Sequence, residues 1–171
     1  MLELIVVLII VTIVASISVP SFVGVMPSYR LGTSLRKIFA YARFARSEAV
    51  VKGLRHRLVI DQFNGTFWLE TETDPFGAPG TFGRVPGVWG RTERLEDTVI
   101  FSRPWIDGEE TEEQAVDFLP DGTADESLLV LEVEGDEKEK GGLWIRALTG
   151  VAKIVEGEEL VDVENEMQER R

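Results

Sequence analysis

No cysteine occurs in the 171 residues, so disulfides, thiolate metal sites and cysteine nucleophiles are excluded, although compartment is left open. Histidine is almost as scarce. The one copy, His56, stands between Arg55 and Arg57 in a predicted strand, which leaves no histidine cluster for a metal and no triad that we can assemble. No lysine or arginine precedes the first apolar run, so the positive start of a secretory signal peptide is missing. Positive charge is short overall, with 18 Lys and Arg against 30 Asp and Glu and a net charge of −12. The deficit is uneven. Residues 1–60 hold eight of the bases and two acids, Glu3 and Glu48; the remaining residues hold ten bases and 28 acids. An acidic body is a poor surface for phosphate backbones, so nucleic acid is an unfavoured partner.

The acids do not resolve into a catalytic or metal pattern. With this many carboxylates, pairs of the kind used in glycoside hydrolysis arise by chance. The acidic run at 107–113 lacks the ligand spacing of a calcium loop and reads as a solvated loop. Gly77, Gly80 and Gly83 fall in a Gly/Pro-rich stretch at 74–90, but no Lys-Ser/Thr pair follows to make a phosphate cradle. We therefore expect no catalytic residues, no metal, no cofactor and no enzymatic activity.

Residues 4–26 carry no charge at all. A helix of that length, rising ~1.5 Å per residue, covers roughly the ~30 Å hydrocarbon core of a bilayer. The reading is a transmembrane or filament-core helix over 1–28. Two residues in it are out of place for a plain anchor. Glu3 puts a carboxylate at the apolar start, which is costly in lipid unless a neighbouring chain offers a cation. Pro20 removes a backbone donor and kinks the helix, and membrane helices tolerate that when neighbours answer the freed groups. Thr12, Ala15, Ser16 and Ser18 precede it, small residues that permit close helix packing.

This front, Leu2-Glu3-Leu4-Ile5-Val6-Val7-Leu8-Ile9-Ile10 and later Val19-Pro20, resembles the N-terminus of type IV pilins and type II secretion pseudopilins. That family places a proline seventeen residues after a glutamate, the spacing of Glu3 and Pro20. The resemblance implies that Glu3 pairs with the N-terminal amine of a neighbouring subunit and that Pro20 kinks the helix. It also implies two residues ahead of Met1, the first a methylated Phe, and before them a short basic leader removed by a prepilin peptidase. We expect a truncated or misassigned start. The missing leader would also resolve topology, because the basic residues 30–57 alone would favour a cytoplasmic body.

Residues 29–53 form a predicted amphipathic helix. Leu31, Leu35, Ile38, Phe39, Ala42, Ala45 and Ala49 repeat at three and four, Arg36, Lys37, Arg43 and Arg46 lie largely off that face, and Gly53 ends it. The period then changes to two. Residues 54–155 read as an antiparallel β domain, opening with Arg55–Asp61, the hairpin signal Asn64-Gly65 and the return Thr66–Glu70. Residues 74–90 read as a long loop, with Phe76, Phe82, Val85, Val88 and Trp89 pinning it to the body or meeting a partner. Further strands are predicted at 98–102, 115–119, 127–134, 143–148 and 151–155, with a charged turn at 135–142. The acidic tail, 156–171, is expected to be disordered, or to add an edge strand through Leu160, Val161 and Val163.

Residues 42–50 with the strand after them, Asp117-Phe118-Leu119-Pro120-Asp121-Gly122-Thr123-Ala124 and Leu148-Thr149-Gly150-Val151 narrow the resemblance to the GspH/FimT branch of minor pilins and pseudopilins. The implied fold class is α+β and pilin-like: a long N-terminal helix, its first half membrane-embedded and its second half amphipathic, packed on an antiparallel sheet domain. The implied role is a minor pseudopilin of a type II secretion system, a single-pass inner-membrane protein with its C-terminal domain in the periplasm. Its implied partners are other minor and major pseudopilins, the inner-membrane secretion platform and membrane lipid. Two alternatives stand beside this: a FimT-like minor pilin of a type IV pilus, serving assembly or DNA uptake, and a membrane-anchored β domain of unknown binding role.

Overall fold

A computed structural model of the chain describes residues 2–23, 26–102, 105–106 and 114–169. Two helices open it, α1 (Leu2–Val23) and α2 (Met26–Lys52). The long helix expected at the front is thus described as two segments, either side of residues 24–25. In α1 the side chains are described over residues 3–14, and among the described residues no helix is long and apolar enough to cross a membrane. The helical backbone of α1 runs through Pro20, the position of the expected kink.

The apolar face read for α2 is its buried face: Leu35, Ile38, Ala45 and Ala49 are wholly buried and Leu31 and Ala42 nearly so. Each large aliphatic buried this way contributes about 1.5–3 kcal/mol. The helix ends where expected. Gly53 adopts φ 64° and its amide donates to Ala49 O at 3.0 Å, a left-handed cap that a residue with a Cβ forms only with strain.

The body is two antiparallel sheets against α2. The first comprises β1 (His56–Asp61), β2 (Thr66–Glu72), β3 (Phe82–Arg84), β4 (Glu93–Arg94) and β7 (Gln114–Phe118), ordered β3-β2-β1-β7 with β4 also on β2. The second comprises β5 (Val99–Phe101), β6 (Trp105–Ile106), β8 (Ser127–Val133), β9 (Asp136–Ile145) and β10 (Ala152–Glu156), ordered β10-β9-β8-β5 with β6 also on β8. The β1–β2 hairpin forms with Asp61 opposite Thr66. Its loop has four residues rather than two. Asp61 accepts from the Asn64 amide at 3.0 Å and from Asn64 Nδ2 at 2.7 Å, and Gly65 takes the positive φ.

Three expectations are corrected. Residues 135–142 are mostly strand: the turn is only Glu134-Gly135, and β9 starts at Asp136 and stops at Ile145. Its charges find partners on the helices, Glu139 accepting from Ser28 at 2.9 Å and Lys140 pairing with Glu164 at 2.9 Å. The stretch 74–90 holds regular structure, β3 and a 3₁₀ turn at Val88–Gly90. Over 157–169 the tail is neither disordered nor a strand. It is a third helix, α3 (Gly157–Glu169), with Leu160, Val163 and Met167 buried.

The reason for α3 lies in β8. Leu129, Leu131 and Val133 point into the main core with α2, whereas Leu128 and Val130 point the other way, into a second cluster with Trp105, Val155 and the buried side of α3. A strand apolar on both faces must be covered twice. At the centre β9 places two glycines, one toward each helix. A Cβ on Gly141 would stand 2.7 Å from Leu35 Cδ1 of α2, and one on Gly142 would stand 2.7 Å from Leu160 Cδ1 of α3. The missing side chains let both helices approach the sheet closely.

Candidate assembly surface

Two residues were singled out at the front, Glu3 and Pro20. Glu3 lies in the first turn of α1 and is exposed; the side chain of Pro20 lies outside the described residues. Seventeen helical residues, or roughly 25 Å of axis, separate them, so they form two stations on one rod and not one site. Over residues 4–14 the rod is apolar on every side apart from Thr12. Leu4 through Val11, Ile13 and Val14 are all exposed, from 46% at Val6 to 72% at Leu4. Thr12 donates its hydroxyl to Leu8 O at 2.7 Å, so its polar hydrogen is used within the helix. A helix apolar on every side is normally buried, and a contiguous apolar surface of this kind exceeds what a soluble monomer leaves open. This surface needs a cover, in lipid or among other helices.

The body ties α2 down largely through its bases. Lys37 meets Glu96 Oε1 at 2.6 Å, Arg30 donates to Asp97 O at 3.4 Å, and Arg46 donates to Thr149 O at 2.7 Å. Lys52 pairs with Glu48 along the helix at 2.5 Å. Lys37, Arg30 and Arg46 hold the helix to its own body.

The large apolar residues of the 74–90 stretch divide into two sets. Trp89 stacks on Phe44 of α2 with centroids 4.2 Å apart and meets Tyr41 edge-on at 4.9 Å. Val85 is buried, and Phe82 lies beneath the Arg57 guanidinium at 3.7 Å. Those three pin the loop. Phe76 and Val88 do not, being 96% and 60% exposed. The glycine amides are already used, Gly77 N donating to Asp74 Oδ1 at 2.7 Å and Gly80 N to Glu72 Oε1 at 2.8 Å, so no amide cradle faces outward there.

The open face of the first sheet balances its charges internally. Arg57 binds Asp117 through two bonds of 2.8 and 3.1 Å, and that pairing holds its guanidinium more firmly protonated. Arg84 lies 4.0 Å over Trp68, whose indole donates to Glu70 at 2.8 Å. His56 is buried. Its Nδ1 lies 2.9 Å from Leu54 O and its Nε2 has no partner among the described residues, and burial lowers its basicity. Among the described residues no group of three or more His, Asp or Glu could hold a metal ion; the acidic run at 107–113 lies outside them. Sequence reasoning missed α3 altogether. Its signal was present in the spacing of Leu160, Val163 and Met167, hidden by acidic composition.

No protein-family model and no curated protein matches the chain. Solved structures do. The minor pseudopilin EpsH of the type 2 secretion system of Vibrio cholerae matches with a TM-score of 0.60 at 12% identity, over 74% of this chain and 96% of that one. A second crystal structure of the same protein gives 0.61 at 14% identity, over 75% and 94%. The type IV minor pilin FimU of Pseudomonas aeruginosa gives 0.49 at 15% identity, over 74% and 88%. At such identities the EpsH likeness establishes a fold: α+β, antiparallel and pilin-like, of the kind seen in the GspH/FimT group.

Proposed function

We propose that this chain is a non-enzymatic structural subunit of a pilin-like filament, specifically a minor pseudopilin of a type II secretion system. The observation that carries the reading is α1, ten large apolar side chains exposed on every side of one rod, joined to a body with the EpsH fold. Before assembly the rod rests in the inner membrane as a single-pass anchor with the body in the periplasm. The uncharged run at 4–26 supports this by its length. In the filament the rod packs among the helices of other minor and major pseudopilins, and the inner-membrane platform delivers it there. Glu3 neutralises the N-terminal amine of a neighbour and sets the axial register, and Pro20 bends the rod. A leader, where one precedes Met1, is removed by a prepilin peptidase and the new N-terminus methylated.

Glu3→Ala tests this in cells that express the chain with its genomic neighbours. Membrane fractionation should be unchanged, while recovery in sheared filaments should fall by on the order of tenfold. Normal incorporation would remove the role given to Glu3. An intact chain that never co-purifies with pilin-like neighbours would remove the filament reading itself.

A further inference from the structure

The second sheet separates two stripes of opposite sign. On one side, the line of α2 that faces away from the body runs Tyr29, Thr33, Arg36, Ala40, Arg43 and Ser47, at alternating steps of three and four. It holds no acid. Arg36 and Arg43 have no carboxylate partner among the described residues, whereas Lys37 and Lys52 pair with glutamates and Arg30 and Arg46 donate to backbone carbonyls of the body; Arg43 leans on Phe39 at 5.6 Å. On the other side, the outward line of α3 runs Glu158, Asp162, Asn165 and Glu169, all exposed, and its three acids have no cationic partner among the described residues. The acids flanking that line are engaged within the chain, Glu159 with Lys153 and Glu164 with Lys140. The spacings agree. Arg36 and Arg43 are seven residues apart, as are Asp162 and Glu169, about 10.5 Å along either helix.

We propose that the basic stripe of α2 docks the acidic stripe of α3 from a second copy of this chain. The two stripes lie on opposite sides of the body, so one molecule cannot satisfy both. The contact is therefore heterologous, front of one copy to back of another. The net charge of −12 sharpens the choice of face, because an acidic helix approaching most other parts of an acidic surface meets repulsion. One helix line against another is a small interface. It sets register and partner choice more than it supplies affinity, and it acts when α1 has already concentrated the copies. This inference rests on the filament reading above and names a surface within it.

The test uses the full chain in phosphatidylcholine vesicles, with two differently tagged copies and a photo-crosslinking amino acid in place of Ala40. The expected product joins the two tags and maps to residues 157–169. Arg36→Glu with Arg43→Glu in the crosslinking copy should reduce it by on the order of tenfold, as should Asp162→Lys with Glu169→Lys in the other. Mixing the two reversed copies should restore it, which also controls for misfolding of either variant. Rising salt should weaken it, since the charges are exposed. No adduct to α3, an adduct indifferent to charge reversal, or failure of the reversed pair to recover would each overturn the proposal. So would replacement of the protein adduct by a lipid adduct when phosphatidylglycerol is added, which would make the stripe a headgroup contact. Filament incorporation that persists without this adduct would refute the docking surface alone and leave the filament reading standing.

Discussion

Truncating Leu160 to alanine removes the side chain that α3 lays over Gly142. Leu160 is fully buried, and a Cβ built on Gly142 would stand 2.7 Å from its Cδ1, 3.0 Å from Leu128 Cδ1 and 3.2 Å from Val155 Cγ2. A wholly buried leucine cut to alanine costs about 2.5–5 kcal/mol, the lower end where neighbours can close the space. Local undocking of α3 limits the cost to what the helix gains by docking, so about 3 kcal/mol is expected here. That corresponds to a loss of roughly 6–12 °C in Tm for a body of this size. The reverse perturbation is Gly142→Ala, which forces a methyl into the same contact and should cost about 1–3 kcal/mol. The pair should not add. In Gly142→Ala with Leu160→Ala the new methyl occupies part of the space the leucine left, so the double variant should be more stable than the two losses together imply, by about 1 kcal/mol or more. Denaturant unfolding of the full chain in detergent, followed by tryptophan fluorescence, measures all four corners of the cycle. Amide hydrogen exchange over 157–169 reports whether α3 leaves first. Strict additivity, or a Leu160→Ala cost below about 1 kcal/mol, would mean that α3 does not pack on β9 as described.

Two further outcomes follow from single residues. Thr98 is exposed yet holds φ 71°, a left-handed conformation in which a β-branched residue is strained; Thr98→Gly or Thr98→Asn should therefore raise stability by about 1 kcal/mol in the same unfolding assay, and a loss would show that its side chain matters more than the strain. His56 has its basicity lowered chiefly by burial, with Lys52 adding to the effect and Leu54 O and Glu48 opposing it. Between the lowered value and the ordinary 6.5 the unfolded chain binds more protons, so the contribution is full above about pH 6.5 and is lost as pH falls toward the folded value. Unfolding midpoints at pH 7.5 and 5.5 should differ less in His56→Leu than in the parent chain; an unchanged difference would place the acid sensitivity elsewhere.

Local pattern alone determined a good deal of this protein. The stripe from Leu31 to Ala49 identified the buried face of α2, because a helix needs only its own period to choose a side, and Gly53 marked its end. Asn64-Gly65 located the first hairpin, and Glu3 with the uncharged run after it marked the front as unusual. Other features needed partners distant in the chain. Tail composition pointed to disorder, since nothing nearby can bury Leu160, Val163 and Met167; the outer face of β8 and β9 does so, and with it decides that the tail is a helix. The charges of β9 suggested a turn until Glu164 and Ser28 met them from two different helices. Among the aromatics of one loop, only packing against Phe44 and Tyr41 separated Trp89, which is held, from Phe76, which is not. Composition counts charge, but only the layered arrangement places arginines without a carboxylate partner among the described residues on one side of the body and acids without a cationic one on the other. Sign is a property of residues, whereas opposition across a sheet is a property of the fold.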